Sequence, residues 1–220
     1  MDVFAAVPVK DLVNAKQRLV PALTPEERRA LAHAMLEDVL AALGAALPGS
    51  VFVVTTDALV MEVVARHGAA SLVEPANRGH TEAVAFAQRQ ALARGAARFL
   101  TIPGDVPCAT ADEIAALCDA VGPRGVGLVP SLSGFGTNAA LLAPPDAMPL
   151  KFGEPSFDNH LLAARQRALT PQILQLPGLG LDIDAPEDID ALLRRGPATR
   201  SAGLLRAWDF PARLAHPRTP

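Results

Sequence analysis

The sequence has few aromatic residues and little net charge. It contains no tyrosine and one tryptophan, and its formal net charge is −3. Surfaces that bind nucleic acids combine clustered basic charge with aromatic side chains that stack on bases. Because the composition offers neither, we expect no nucleic-acid partner and favour a small-molecule ligand.

A long hydrophobic run is also missing. Half of the residues are hydrophobic, but no apolar stretch approaches the roughly 20 residues that a membrane-spanning helix needs. Asp2 stands where a signal peptide carries basic charge, and Pro8 and Lys10 interrupt the first apolar run. We therefore expect a cytoplasmic protein without membrane association.

Cysteine is equally scarce. Cys108 and Cys118 lie outside any CxxC pattern or Cys/His cluster, which excludes a recognisable zinc site or disulfide framework. We predict both as small core residues. A Walker A loop is missing as well, and no Ser-His-Asp or Cys-His arrangement can be recognised from spacing.

The chain does contain short apolar runs that alternate with helical patterns. Thr24, Pro25 and Glu27 form a typical helix start, Gly44 is a predicted helix end, and a second capping box is predicted at Thr110. This alternation indicates parallel strands joined by right-handed crossovers. We therefore predict an α/β fold, a three-layer α/β/α sandwich with a mostly parallel mixed sheet. The predicted strands cover residues 3–9, 51–54, 70–73, 99–102, 126–130, 139–142 (expected antiparallel) and 173–176.

One domain is predicted over residues 1–196. The C-terminal tail, 197–220, has little periodicity, and we expect it to be surface-bound or partly disordered.

The stretch from Arg98 to Pro107 carries the first candidate for chemistry. Its apolar run reads as a buried strand, and Asp105 follows where that strand ends. Ligands of open α/β sheets bind beyond the carboxyl ends of the strands, so Asp105 is placed to hold a divalent cation against phosphates. The alternative is a turn aspartate that bonds its own backbone.

Two further groups of charged residues are candidates. Lys10, Lys16 and Arg18 follow the first predicted strand and would either converge on phosphates or form a solvated basic loop. Asp182 and Asp184 alternate along an extended D-I-D and face the same side, so with Asp105 they could hold one or two Mg²⁺ ions. Because a helix is predicted to start at Pro186, we predict Asp184 as its cap and Asp182 as the metal ligand.

The last candidates lie around a Gly-rich loop and the following helix. Thr137 and Asn138 end the loop, and Ser156 is predicted to cap a helix and to present backbone N–H groups to an anion. His160 lies one turn later, where a lone histidine is more often structural than catalytic. Both roles of His160 stay open.

Taken together, four segments resemble the CofC/FbiD family, the phospho-carboxylate guanylyltransferases of coenzyme F420 biosynthesis, over about residues 3–195. P-G-D-V-P and D-I-D-x-P-E-D are shared widely by MobA-like nucleotidyltransferases. P-V-K…A-K-x-R-L and F-G-x-x-S-F-x-x-H are more specific to the CofC type. The segments are P-V-K-D-L-V-N-A-K-Q-R-L (8–19), P-G-D-V-P (103–107), G-T-N-A-A-L-L (136–142) with F-G-E-P-S-F-D-N-H (152–160), and L-D-I-D-A-P-E-D-I (181–189).

The resemblance implies a Rossmann-like nucleotide-diphospho-sugar transferase fold and transfer of GMP from GTP to a phosphorylated three-carbon acid, with release of pyrophosphate. The acid would be 2-phospho-L-lactate, phosphoenolpyruvate or 3-phospho-D-glycerate. A homodimer and hand-over of an unstable product to the next pathway enzyme are further partner hypotheses.

The resemblance also implies residue roles. Asp105 and Asp182 would ligate Mg²⁺, Lys10 would bind phosphate or carboxylate of the acceptor, and Lys10 and Lys16 would act in catalysis with the two aspartates. The expected nucleotide-binding residues are Lys16, Arg18, Gly79 and Thr81, and the expected acceptor-binding residues are Lys10, Thr137, Asn138, Gly153 and Ser156.

Two departures from the family pattern matter. Gly79-His80-Thr81 replaces a common Gly-Leu-Asn, which affects the nucleotide side, and Ala185 replaces a threonine that would cap a helix.

Two alternative functions remain. A MobA-like transferase for a molybdopterin cofactor or a sugar phosphate is disfavoured because an L-x-A-G-G-x-S-x-R-M-G type loop is missing after the first strand. A non-catalytic nucleotide-binding regulator is disfavoured because Lys10, Lys16, Asp105 and Asp182 are retained together.

Overall fold

The computed structural model describes residues 2–9, 12, 16–20, 22–76, 78–196, 198–210 and 212. The strands are β1 (Val3–Pro8), β2 (Val51–Val54), β3 (Ala70–Leu72), β4 (Arg98–Thr101), β5 (Gly125–Pro130), β6 (Thr137–Ala143) and β7 (Gln172–Ile173). The helices are α1 (Pro25–Ala46), α2 (Ala58–Arg66), α3 (His80–Ala93), α4 (Ala111–Ala120), α5 (Ser156–Gln166), α6 (Pro186–Arg195) and α7 (Arg200–Ala207), with a 3-10 turn at Gln17–Leu19.

The strands form one seven-stranded sheet in the order β3-β2-β1-β4-β6-β5-β7. Strands β1 to β4 pair in parallel, and β7 is parallel to β5. Strand β6 runs antiparallel to both β4 and β5. The predicted mostly parallel mixed sheet, including its antiparallel strand, is confirmed.

Helices cover both faces of the sheet. In β1, Val3, Ala5 and Val7 pack against α1, α2 and α4, whereas Phe4 and Ala6 pack on the side of α3 and α5. Successive side chains of a strand point to opposite faces, so a strand buried on both faces is apolar throughout, as β1 is. The three-layer sandwich predicted from the alternation of elements is confirmed.

The start of α1 follows its sequence signal. The Thr24 hydroxyl accepts a hydrogen bond from the Glu27 N–H, and the Glu27 carboxylate accepts one from the Thr24 N–H. These reciprocal bonds pair two of the free N–H groups at the helix start. The predicted end at Gly44 is wrong, because α1 continues to Ala46.

The start of α4 follows its signal only in part. Thr110 accepts from the Glu113 N–H, as predicted. The Glu113 carboxylate, however, accepts hydrogen bonds from the N–H groups of Gly178 and Leu179, at 2.7 and 2.9 Å. It therefore anchors a distant loop instead of completing the capping box.

The tail contains a packed helix that no periodicity in the sequence predicts. The carboxylate of Asp38 in α1 accepts from the N–H groups of Arg200 and Ser201 and from the Ser201 hydroxyl. Leu205 and Phe210 are fully buried in a cluster with residues of α1 and α6. Residues 200–210 of the predicted tail are therefore packed against the rest of the domain.

None of the helices in the described ranges is long and apolar enough to cross a membrane.

Candidate active site

Several predicted site residues meet at one edge of the sheet. Strand β4 ends at Thr101, and Asp105 lies in the turn that follows. Because β6 is antiparallel to β4, its first residues, Thr137 and Asn138, lie at the same edge. Strand β5 ends there too, so loop 131–136 borders the site.

The segment that carries Asp182 and Asp184 is bound to the Asp105 turn. The Ile183 N–H donates to the carbonyl oxygen of Asp105, at 3.0 Å. The Ile183 side chain is fully buried in the cluster between α1, α6 and α7. In an extended segment the neighbouring side chains point the other way, which places both aspartates on the side away from that cluster.

Lys16 connects two of these aspartates. Its Nζ lies 2.6 Å from Oδ2 of Asp105 and 2.7 Å from Oδ1 of Asp184, and its side chain is only 7% exposed. Burial lowers the pKa of Lys16, but the two carboxylates outweigh burial and raise the pKa above its usual range. The ammonium is therefore held as a buried cation between two anions.

The backbone of Lys16 adopts an unusual conformation. Its φ of 57° lies in the left-handed region, which costs a residue with a side chain about 1–2 kcal/mol. Such strain persists where surrounding contacts fix the residue, and the two ion pairs of Lys16 are contacts of that kind.

Asp182 is held by a neutral partner. The side-chain amide of Asn138 donates to Oδ1 of Asp182 and to the carbonyl oxygen of Gly180, both at 3.0 Å. Burial raises the pKa of Asp182, and the charges of Asp105 and Asp184 add to the increase. Three carboxylates thus lie close enough to repel one another, with one lysine between two of them.

The prediction that Asp184 caps α6 is wrong. The residue before the helix is Ala185, and Asp188 accepts from the N–H groups of Asp184 and Ala185, at 2.9 and 2.7 Å. The Asp184 carboxylate is thereby available to pair with Lys16. A sequence signal for the correct cap exists, because Asp188 is the third residue of a helix that begins with Pro186.

Thr137, Ser156 and His160 form a buried group beside Asn138. The Thr137 N–H donates to the Ser156 hydroxyl at 2.9 Å, and the Thr137 hydroxyl lies 2.9 Å from Nδ1 of His160. Nε2 of His160 accepts from the Lys151 N–H at 3.0 Å. The predicted capping by Ser156 is wrong, since Pro155 precedes the helix and Ser156 is its first residue.

Thr81 links the predicted nucleotide side to this group. Its hydroxyl accepts from the Phe152 N–H and donates to the Phe152 carbonyl oxygen. The α3 start at Gly79, whose φ is 105°, therefore lies close to Gly153, whose φ is 102°. The Thr81 hydroxyl thereby joins the start of α3 to the segment before α5.

A cavity of about 210 Å³ adjoins the start of α3. It is lined by Glu74, Pro75, Ala76, Arg78, Glu82, Phe86 and Arg89.

The remaining predicted cations are Arg18 and Lys10. Arg18 is exposed at the 3-10 turn. Lys10 lies outside the described residues.

The donor set suits a hard divalent cation. Carboxylate oxygens are its preferred ligands, and Mg²⁺ commonly takes one or two carboxylates together with substrate phosphates. Among the residues that the structure describes, no three acidic, histidine or cysteine side chains already form a metal cage. Asp105 and Asp184 nevertheless converge on one point, which the Lys16 ammonium occupies, and their charges also act on Asp182.

The fold is one that nucleotidyltransferases share. A nucleotidyl transferase of Methanothermobacter thermautotrophicus shares the fold with a TM-score of 0.62 at 16% identity, over 94% of this chain and 99% of that chain. Enzymes of this class generally use a divalent metal. More specifically, the chain belongs to the CofC-like guanylyl transferase family, whose pattern matches residues 3–218.

Three relatives are each named as the guanylyltransferase of a phospho-acid. The chain is 42% identical to a phosphoenolpyruvate guanylyltransferase of Sphaerobacter thermophilus, over 92% of this chain and 98% of the relative. It is 33% identical to a 2-phospho-L-lactate guanylyltransferase of M. thermautotrophicus, over 96% and 92%. It is 32% identical to a 3-phospho-D-glycerate guanylyltransferase of Colwellia psychrerythraea, over 90% and 95%. The family predicted from sequence motifs is confirmed.

Proposed function

We propose that the protein transfers GMP from GTP to phosphoenolpyruvate and releases pyrophosphate, as a step of coenzyme F420 biosynthesis. The observation that carries this proposal is the high similarity to the phosphoenolpyruvate guanylyltransferase of S. thermophilus along nearly the whole chain. The other two phospho-acids are the competing acceptors, because relatives named for them are also similar.

The reaction needs no covalent enzyme intermediate. A phosphate oxygen of the acceptor attacks the α-phosphorus of GTP, the bond to the bridging oxygen breaks, and that oxygen leaves with pyrophosphate. Catalysis of such a transfer consists of positioning and of stabilising negative charge.

The aspartates are proposed to hold Mg²⁺. Asp105 and Asp182 would be its ligands, and Asp184 lies close enough to add charge, as its shared ion pair with Lys16 indicates. When bound, the ion would supply positive charge that offsets the charge developing on the phosphates. Lys16 supplies fixed positive charge at the same place, and Arg18 and Lys10 are proposed as further cations for phosphate or carboxylate groups.

Residues at the start of β6 and at the start of α5 are proposed to bind the acceptor. Thr137, Ser156 and the backbone at Gly153 would contact it, whereas Asn138 would act by orienting Asp182. On the nucleotide side, the backbone at Gly79 is the proposed contact, and Thr81 would act by fixing Phe152.

A cytoplasmic location, a homodimer and hand-over of the product to the next enzyme belong to the same proposal. Size-exclusion chromatography with light scattering tests the homodimer.

The decisive experiment measures pyrophosphate release with Mg²⁺ for every pairing of GTP, CTP or ATP with phosphoenolpyruvate, 2-phospho-L-lactate or 3-phospho-D-glycerate. We expect turnover with GTP and phosphoenolpyruvate. Turnover with GTP and another acid alone would overturn the acceptor but keep the reaction.

Folded protein that binds GTP and releases no pyrophosphate with any of these acids would overturn the proposal. That outcome would favour a different acceptor or a nucleotide-binding regulator.

A further inference from the structure

His160 has a defined tautomer. Its ring is fully buried, and Nε2 accepts a hydrogen bond from the Lys151 N–H at 3.0 Å. A backbone N–H can only donate, so Nε2 carries no proton. Burial lowers the pKa of His160 to about 4, and the neutral ring therefore carries its single proton on Nδ1.

This tautomer determines the direction of the next hydrogen bond. Nδ1 lies 2.9 Å from Oγ1 of Thr137, so the Nδ1–H donates and the threonine oxygen accepts. In the same way the Thr137 N–H donates to the hydroxyl oxygen of Ser156. Both hydroxyl oxygens thus already accept a hydrogen bond from the protein.

Each hydroxyl still has its own hydrogen to donate. Neither hydroxyl hydrogen has an acceptor among the residues that the structure describes, although Thr137 and Ser156 are only 5% and 3% exposed. A buried donor without a partner is costly, which favours a ligand that accepts. Such a ligand would lie at the edge of the sheet that carries the aspartate cluster, because Thr137 begins β6 at that edge and the next residue, Asn138, donates to Asp182.

We infer that His160 is a positioning residue for the acceptor. By donating to the Thr137 oxygen, His160 leaves the Thr137 hydroxyl to donate, together with that of Ser156, to an anionic oxygen of the phospho-acid. This inference rests on the proposed function. It assigns His160 no proton transfer, since Nδ1–H already donates and Nε2 already accepts within the protein.

Two substitutions separate the two hydrogen bonds of His160. In His160→Asn the side-chain amide can replace the Nδ1–H donor but not the Nε2 acceptor. In His160→Gln the side-chain oxygen can replace the Nε2 acceptor at Lys151, but no donor remains at the position of Nδ1.

The measurement is steady-state pyrophosphate release, which gives KM for the acceptor, KM for GTP and kcat. For His160→Gln we expect the acceptor KM to rise about tenfold or more, with the GTP KM within about twofold, because a hydrogen bond to a charged group is weakened. His160→Asn should restore the acceptor KM to within about threefold of the wild type. His33→Gln, on α1, is the matched control and should change neither KM.

A double substitution tests the connection to Thr137. If His160 acts through the Thr137 hydroxyl, His160→Gln combined with Thr137→Val should raise the acceptor KM no more than Thr137→Val alone. Fully additive effects would overturn the inference, as would a His160→Gln enzyme with normal acceptor KM. If His160→Asn and His160→Gln each raised the acceptor KM and the GTP KM equally, His160 would have only a structural role. That result would also overturn the inference.

A measurement on the wild-type protein tests the inference even if the His160 variants fail to fold. The ¹⁵N NMR shifts of the His160 ring should show the neutral Nδ1–H tautomer at pH 7, and an Nε2–H tautomer would overturn the inference. If the wild type instead releases no pyrophosphate with any acceptor, the proposed function fails, whatever tautomer His160 has.

Discussion

The ammonium of Lys16 joins parts of the chain that are 89 and 168 residues away, at Asp105 and Asp184. Removing one partner of a buried ion pair leaves an uncompensated charge, so such pairs strongly restrict the positions of their members. Here the restriction falls on the residues proposed to hold Mg²⁺ and phosphates. Lys16 therefore fixes the geometry of the cluster as much as the aspartates do.

Replacing Asp105 or Asp182 by asparagine should strongly reduce turnover and preserve the fold. Losing metal-binding charge costs several kcal/mol in the transition state, or about a hundredfold to a thousandfold in kcat. Burial and neighbouring charge raise the pKa of Asp182, so its neutral replacement should not lower the melting temperature.

Pyrophosphate release and thermal unfolding measure the two effects. Asp190→Asn, on the exposed side of α6, is the control and should leave both unchanged. Near-normal rates for Asp182→Asn at ordinary Mg²⁺ would refute the metal assignment.

The buried His160 should make stability depend on pH. Its pKa is about 4 in the folded protein against 6.5 normally, so the unfolded chain binds a proton between these values and the folded protein does not. Stability must therefore fall as the pH falls from about 6.5 to 4, by up to about 3 kcal/mol.

Denaturant unfolding of the wild type and His160→Asn at several pH values measures this contribution. The free-energy difference between the two proteins should shrink as the pH is lowered through that range. A difference that is independent of pH would contradict the neutral buried ring.

At the scale of elements, the loop before Asp182 is attached to α4. The Glu113 carboxylate accepts from the N–H groups of Gly178 and Leu179. This pair of bonds brings α4 to the chain segment that leads into the aspartates. Close approach requires a glycine, because a Cβ at residue 178 would overlap the carbonyl oxygen of Cys108.

Gly178→Ala should lower stability by about 1–3 kcal/mol, since backbone would have to move to accept the added carbon. The matched control is Gly203→Ala, at an exposed helical position with nothing within 4 Å of an added Cβ. Alanine should stabilise that helix by about 0.5–1 kcal/mol. Thermal unfolding measures both, and the two changes should have opposite signs.

At the scale of the whole molecule, α7 joins the C-terminal segment to the domain. Leu205 of α7 and Phe210 after it pack on α1 and α6, and Asp38 binds the first turn of α7. The Ser201 hydroxyl, which is fully buried, also donates to Asp38 at 2.6 Å. The segment after residue 196 is thus part of the core in residues 200–210.

Asp38→Ala should lower the free energy of unfolding by about 1–3 kcal/mol, because it leaves two N–H groups and a buried hydroxyl without their partner. Asp119→Ala, an exposed position on α4, should change it by less than about 0.5 kcal/mol. Chemical denaturation measures both variants, and hydrogen exchange should show α7 losing protection first. Unchanged protection of α7 in Asp38→Ala would contradict this attachment.

Much of the fold could be predicted because its signals are local. The Thr24–Glu27 capping box, the continuous apolar run of β1 and the D-I-D spacing of Asp182 and Asp184 depend on residues a few positions apart. Helix and strand geometry translates such spacings directly into shared faces and paired groups. The sequence motifs also identified the family.

The partners of polar side chains were decided by the tertiary structure. Asp184 pairs with Lys16 instead of capping α6, and Glu113 binds Gly178 and Leu179 instead of its own helix start. Each choice depends on which distant backbone or charge lies within about 3 Å, and hydrogen bonds are too short-ranged for sequence spacing to predict this. For the same reason the sequence shows His160 only as a lone histidine on a helix. The tertiary structure is what brings its ring within hydrogen-bond distance of Thr137, which it orients.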